Sequence, residues 1–444
     1  MSLLKTNEIQ NYNGSSLTLT ASTVSTSAQL NTGGNISVTG SLNVSDDSTT
    51  RTNLGLGTIS TQDSNNVNLT GGTIGSGVLI HFNPIPNWYL AEQQITGGND
   101  VSAGFYVGST TASERRTVNI PAMQLRINAT VYTLSTATTL DADTTGSWAS
   151  NETSKATAAN RNGEDVYIYA VEPSSGTTPN FCLSSNSTYP DGTVGGVTAS
   201  ATNSRKIGGF HCLCVDVGTI SGHSLTGYLD GDILPRSVWT QASHRPTANP
   251  EGMVYVGNKL WADIYLASNT TTLESSYGGT IVDGTSNPDY HWYNFVERFA
   301  EIEKRLPTQA EFMALAIGSN EETNISGSAD PGTTGGHSDT ASRRMISNIG
   351  CEDCAGALWQ WANETGSDGA AASWAVQDTA SDGTTYDGAN AIGRGQGYAV
   401  PNRGVFGGSW SDGAKCGSRG VAWSLSPLTL YGYIGSRGVS GSLY

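Results

Sequence analysis

Cys212-x-Cys214 and Cys351-x-x-Cys354 place two pairs of thiols close along the chain, a spacing that could deliver four thiolates to zinc. The plainer reading is four small buried apolar residues or a local disulfide, since the six cysteines do not space out as a disulfide framework. Cys416 has no partner nearby in sequence. His81, His211, His223, His244, His291 and His337 are scattered, and none falls in a metal-ligating spacing such as H-x-x-x-H. His211 ends a strand-like run and reads as a structural histidine. Gly393-Arg-Gly-Gln-Gly397 is glycine-rich, but no strand-turn-helix context surrounds it, which argues against phosphate binding. Most acids fall in Gly/Ser/Thr loops as solvated faces, and a carboxylate pair for glycoside hydrolysis stays open as a second function class.

A different kind of chemistry is written into residues 405–439. Val405-Phe-Gly-Gly-Ser-Trp410, Gly417-Ser-Arg-Gly420 and Gly435-Ser-Arg-Gly438 brace stretches of small and aromatic residues. Glycines and arginines read as framework, and the positions between them as interchangeable contacts. Ser, Gly and Tyr presented on a rigid scaffold are the composition of a binding surface.

Composition agrees. The 444 residues exceed one ordinary domain, and 55 glycines with only 14% charged residues disfavour long helices and favour short strands with many turns. Eight of the ten tryptophans lie from Trp239 onward, so the best-packed domain is expected to be C-terminal. A net charge of −16 argues against nucleic acid and anionic membranes as partners. No run of 18 apolar residues exists for membrane insertion, and Met1–Asn7 has no apolar core of a secretory signal, so release by lysis, as for a virion component, is expected.

Along the chain, residues 1–79 carry short period-2 alternations at Leu17–Leu19, Ile36–Val38, Leu42–Val44 and Val67–Leu69, too short to be stable unless strands complete one another across chains. A disordered polar leader is the alternative. Residues 80–205 show longer strands at Met123–Leu134 and Val166–Val171, predicting an antiparallel sandwich that acts as a spacer. Residues 206–444 hold two helices. Trp292, Phe295, Val296, Phe299 and Ile302 predict one over 290–305, and the capping box Thr308-x-x-Glu311 opens the next, with Gly318 as a stop.

Residues 51–74, Arg-Thr-Asn-Leu-Gly-Leu-Gly through Thr-Gly-Gly-Thr-Ile, resemble a repeat common in phage tail fibres, which are typically homotrimers. Arg305–Phe312, Leu358–Glu364, Phe406–Trp410 and Ser418-Arg419 resemble the C-type-lectin fold in its formylglycine-generating-enzyme branch. Within that branch the likeness is to the phage major tropism determinants, receptor-binding proteins diversified by a retroelement. It rests on Arg205–His211, Leu260–Leu266, Trp292–Phe295 and 404–439, and covers roughly residues 80–444.

The resemblance implies a mainly β chain with a C-terminal α+β C-type-lectin-like domain, forming an elongated intertwined homotrimer. It implies a virion, distal tail-fibre location, attachment to a host cell-surface protein or glycan, and contact with other tail proteins through the N-terminal region. Its variable, receptor-binding sites fall on Ser409, Ser411, Gly413, Lys415, Ala422, Trp423, Ser424, Leu425, Thr429, Tyr431, Tyr433 and Ile434. Most are products of an adenine-rich, asparagine-type codon; Trp423, Leu425 and Lys415 stand apart from that set. Trp410, Arg419 and Arg437 are implied framework, their arginines holding loops through backbone carbonyls and acids. The branch also contains enzymes, but their chemistry needs two nearby cysteines after Gly-Gly-Ser, where this chain has Asp412 and Cys416 only. No catalytic activity is expected. Ala357 and Gln360 stand where many relatives carry the Asn and Glu that help bind calcium, so no cofactor is expected, calcium being the one metal the resemblance raises. A glycan-degrading tailspike and a diversified surface-displayed protein that is not a tail fibre are the alternatives.

Overall fold

The computed structural model describes Phe105, Thr111, residues 114–241, 244–366 and 400–443, and the backbone of 374–376 and 396–398. All lie in the second of two compact units, Asn83–Tyr444. The expected leader strands, the 51–74 repeat and the side chains of 393–397 fall outside the described residues.

The described chain is mainly β. Its first part holds β1 (Thr117–Ile120), β2 (Met123–Ile127), β3 (Thr130–Leu134), β4 (Thr138–Asp141), β5 (Asp165–Val171), β6 (Asn180–Ser184), β7 (Thr193–Val194), β8 (Val197–Thr198), β9 (Ser204–His211) and β10 (Trp239–Thr240). The run Met123–Leu134, read as one strand, is a hairpin. Asn128 takes φ 51, a left-handed position that asparagine tolerates, and the chain turns there to pair Ile127 with Thr130. Antiparallel β10-β9-β5-β6 form the main sheet, with β1-β4, β2-β3 and β7-β8 as two-stranded pairs. After Asp165, β5 is buried from Val166 to Val171, as a central strand covered on both faces must be. β9 runs across the expected 205/206 boundary and pairs with β5 from Asp165↔His211 to Val171↔Ser204, so residues 206–211 are built into this sheet.

The second part holds β11 (Met253–Gly257), β12 (Leu260–Asp263), α1 (Trp292–Glu301), α2 (Gln309–Leu315), β13 (Trp359–Thr365), β14 (Trp374–Val376), β15 (Gln396–Tyr398), β16 (Arg403–Gly407), β17 (Gly417–Leu425), β18 (Ile434–Gly435) and β19 (Val439–Gly441). Both helices fall where the apolar spacing put them. At α2 the Thr308 hydroxyl accepts from the Glu311 amide at 3.3 Å and the Glu311 carboxylate accepts from the Thr308 amide at 2.8 Å. α1 carries a second capping box, absent from the sequence reading: His291 Nδ1 accepts from the Asn294 amide at 3.4 Å and Asn294 Oδ1 from the His291 amide at 3.1 Å. Phe295 and Phe299 face inward from α1, stacked 6.0 Å apart, and pack with Trp361 and Val405.

Two sheets position the C-terminal segment. Antiparallel β11-β12-β19 set the last described strand against the middle of the chain, Leu260↔Gly441 to Ala262↔Val439. In β17-β16-β13-β18 the first three are antiparallel and β18 lies parallel to β13. Both 405–407 and 434–440 are therefore buried, held by β16 on one side and by β18 and β19 on the other, and the segment between them is the part that reaches the surface.

Candidate functional site

The segment 408–433 stands on a buried arginine. Arg437 is fully enclosed. Its Nε donates to Gln360 Oε1 at 2.7 Å, Nη1 to the carbonyls of Asp263 and Ile264 at 3.1 and 3.0 Å, and Nη2 to that of Glu352 at 2.5 Å. Gln360 Nε2 in turn donates to the carbonyls of Asp353 and Cys354 at 3.0 and 3.2 Å. One guanidinium thus ties two separate segments, 263–264 and Glu352, to β13 through its fixed fork of donors. The next residue, Gly438, has its amide on Asp263 Oδ2 at 2.8 Å, while Asp263 Oδ1 holds Lys304 at 2.6 Å in a buried ion pair.

Gln360 is the framework residue the sequence reading passed over. It entered there only as a departure from a calcium pattern. Its amide is consumed at both ends by Arg437 and backbone, and among the described residues no three His, Cys, Asp or Glu side chains are grouped to hold a metal.

The cysteines pack as buried free thiols. Cys212 lies in the core of the first part and Cys214, Cys351 and Cys354 in that of the second, so the four do not converge on one point. Burial pushes the Cys416 thiol up to about 11, with Asp412 adding to the rise, which keeps it protonated. Its sulfur faces the Ser409 carbonyl at 3.4 Å, and Gly408 lies so close that a Cβ there would sit 2.8 Å from Sγ.

The Trp410 amide donates to the Ala357 carbonyl at 2.7 Å, and its side chain packs, partly buried, against the cluster that includes Leu266, Ile325 and Met345. Arg419 departs from the implied framework role. It is exposed on β17 and makes no hydrogen bond or ion pair among the described residues. The two Gly-Ser-Arg-Gly copies look alike in sequence, but the first lies on an outer strand and the second in the core.

The implied contact residues divide in the same way. Ser409 and Ile434 are buried and stand behind the surface. Ser409 instead fixes the turn after it: its hydroxyl and amide both donate to Asp412 Oδ2, at 2.5 and 3.0 Å. Burial pushes the Asp412 carboxyl up, but these bonds outweigh it and leave it below the usual carboxylate range. Ser411, Lys415 and Ser424 are exposed, and Gly413, Ala422, Trp423, Leu425, Thr429 and Tyr433 half-buried. Gly413 has φ 54 with open space where a Cβ would be, a backbone that asparagine also accepts.

β17 carries the site on a strand whose alternation is broken twice. Gly404 of β16 opposes two residues of β17, Trp423 and Ser424, between Arg403↔Leu425 and Val405↔Ala422, and a wider slip separates Phe406↔Val421 from Gly407↔Gly417. The first bulge turns Trp423 inward. Its ring meets Phe406 edge-on at 5.5 Å and lies over Gly404, where a Cβ would be 2.6 Å from the indole. Val421 points out, 37% exposed, beside Arg419. Neither residue was among the implied contacts, and no sequence signal marks a bulge that re-aims them.

Beyond β17, Ser426–Tyr433 form a loop clamped at both ends. The Trp292 amide at the start of α1 donates to the Pro427 carbonyl at 3.1 Å, and the Trp359 amide to that of Tyr433 at 2.9 Å. Gly284 receives the loop backbone so closely that a Cβ there would lie 2.8 Å from Leu430. On this support Tyr431 and Tyr433 stack, ring centres 4.8 Å apart and planes 14° apart, with Tyr431 44% exposed. A pre-stacked tyrosine pair with free hydroxyls gives a partner apolar area and polar handles at little entropic cost.

Residues 115–240 match the family model of the Mtd second domain. The chain is 33% identical over 264 residues to the tail fiber receptor-binding protein of Bordetella phage BPP-1, a match covering 55% of this chain and 65% of that relative. The chain therefore spans just under two thirds of that relative's length. Solved structures of Major Tropism Determinant are similar across most of the described fold. The U1 variant gives a TM-score of 0.57 at 29% identity over 73% of this chain and 81% of that chain. The M1 variant gives 0.58 at 29% identity over 75% and 82%. These likenesses bear out the resemblance to the major tropism determinants carried by the sequence motifs.

Proposed function

We propose that this chain is a phage tail-fibre receptor-binding protein, carried on the distal fibre of the virion, whose C-terminal surface attaches the particle to a host cell-surface protein or glycan. The observation that carries the reading is the division of residues 405–439. Strand segments at both ends are fixed in the core by Arg437, Gln360 and Trp410, while the intervening stretch presents Ser411, Lys415, Ser424, Tyr431 and Tyr433 to solvent. The likeness to a named tail fiber receptor-binding protein supports the same role.

In this reading the second part is a C-type-lectin-like domain, and Ser411, Gly413, Lys415, Ser424, Thr429, Tyr431 and Tyr433 are retroelement-varied contacts. Arg419 and Val421 join them as constant neighbours. The chain acts as a homotrimer held by its N-terminal region, which also meets other tail proteins, and it performs no catalysis. Three linked sites raise avidity by roughly 10²–10⁴ over one.

Adsorption competition tests this. Purified full-length chain added to susceptible cells is expected to block phage adsorption, and a Tyr431→Ala/Tyr433→Ala chain to lose the block while melting normally. Equal block by both chains would remove the tip from the mechanism. Light scattering of the intact chain should report three times 46.3 kDa.

A further inference from the structure

The first part of the fold contains a pocket that the tip-binding reading leaves unused. It opens between the turn at 145–153, the edge strand β6 and the β7-β8 hairpin, with a volume of about 510 Å³. That lies within the ~300–1,000 Å³ typical of small-molecule sites.

Its lining has a consistent chemistry. Trp148 and Phe181 supply the apolar surface; Trp148 is buried in the core with its indole N–H spent on the Ala142 carbonyl at 2.9 Å, so it offers ring rather than donor. Thr145, Thr153, Thr193 and Asn180 contribute three hydroxyls and an amide, and none of the four side chains is engaged in a hydrogen bond among the described residues. Asn180 is held in place by Gly195, whose backbone at φ 57 packs directly on its amide. Among the described residues, no ionisable side chain lines the pocket. The nearest buried acid, Glu152, is saturated by the amide and hydroxyl of Ser185 at 2.7 Å each and the Asp191 amide at 3.3 Å.

An aromatic floor, a rim of neutral donors and acceptors, and no charge select against phosphates, carboxylates and amines. Such ligands would leave an unpaired charge in the pocket. They suit a neutral ligand with an apolar face and hydroxyls around its edge. We propose that this pocket is a second binding site, for a neutral saccharide unit, separate in chain and in chemistry from the tip at 411–433. A weak saccharide site on the same chain would let the particle dwell on a glycan-bearing surface before the tip engages.

The test is saturation-transfer NMR on the full-length chain with methyl glucoside, methyl galactoside and N-acetylglucosamine, and with glucuronic acid as the charged control. Saturation transfer to at least one neutral sugar and none to glucuronic acid is expected. Thr145→Lys or Thr193→Lys, each an exposed position that needs no core rearrangement, should weaken the binding at least about tenfold. Tyr431→Ala should leave it intact. Thermal melts identify any variant that has unfolded, and the other lysine variant then carries the comparison. Absence of transfer to every neutral sugar overturns the proposal, as does sugar binding that survives both lysine variants or disappears with Tyr431→Ala. The last outcome would place the saccharide at the tip and leave the attachment reading standing.

Discussion

Arg437 and Gln360 form one buried unit: the arginine Nε donates to the glutamine Oε1 at 2.7 Å, and every remaining polar atom named on either side chain ends on backbone carbonyl. The pair adds side-chain bonds where 263–264, 352–354 and β13 meet, beside the backbone bond from the Glu352 amide to the Ile264 carbonyl at 2.7 Å.

Arg437→Ala should therefore lower stability by about 3 kcal/mol or more, because it withdraws charged donors from four buried acceptors, of which the Ile264 carbonyl keeps a second donor in the Glu352 amide. Arg419→Ala, the same residue type in the same four-residue motif, should change it by less than about 0.5 kcal/mol. Urea titrations of the two variants decide this; similar losses would mean that the exposed arginine is structural after all.

At the tip, Tyr431→Ala should cost roughly 2 kcal/mol or more in attachment while moving stability little. Trp423→Ala should do the reverse, since its ring fills the space over Gly404 and against Phe406. Paired thermal melts and adsorption assays separate them. A tyrosine variant that unfolds, beside a tryptophan variant that melts normally, would reverse the assignment of contact and scaffold.

Acid should weaken the fold through His291. Burial pushes this imidazole down from 6.5 to about 4, while the unfolded chain protonates near the ordinary value. The depressed value means that the unfolded state binds the proton first. The stability contribution is complete above pH 6.5, declines as pH falls toward 4, and amounts to on the order of 3 kcal/mol across that window. His291→Asn keeps a good N-cap and removes the titration. Melting temperatures measured between roughly pH 7.5 and 4.5 should fall more steeply for the parent chain; parallel slopes would show that the proton is taken up elsewhere.

Thiol chemistry gives the last check. All six cysteines are free and buried, so native protein at neutral pH should resist maleimide over the time in which denatured protein, without reductant, labels six times. Fewer than six in denaturant would reveal a disulfide, and rapid native labelling of Cys416 would reopen thiol catalysis.

What was legible in the sequence was local or repeated. The capping box at Thr308 and the spacing Trp292–Phe299 gave both helices, because a helix is specified by residues three and four apart. The Met123–Leu134 hairpin was hidden because alternation continues through its turn, and only the left-handed Asn128 marks the reversal. Arg419 and Arg437 were indistinguishable by motif; what separates them is long-range pairing, one on the bulged outer strand and the other beside β13. Gln360 was invisible for the same reason, since its partner lies 77 residues away.

The pairing of β19 with β12 also bears on synthesis. Residues 260–263 leave the ribosome long before their neighbours 439–441, so this sheet closes only when residues 405–438 have all been translated. A chain that ends anywhere between 405 and 436 lacks both Arg437 and the strand that pairs with β12. A copy carrying a premature stop there is then a chain with an open β12 edge, exposed to proteolysis. Closure from beyond residues 405–438 acts as a proofreader of reading frame, indifferent to which residues the segment displays.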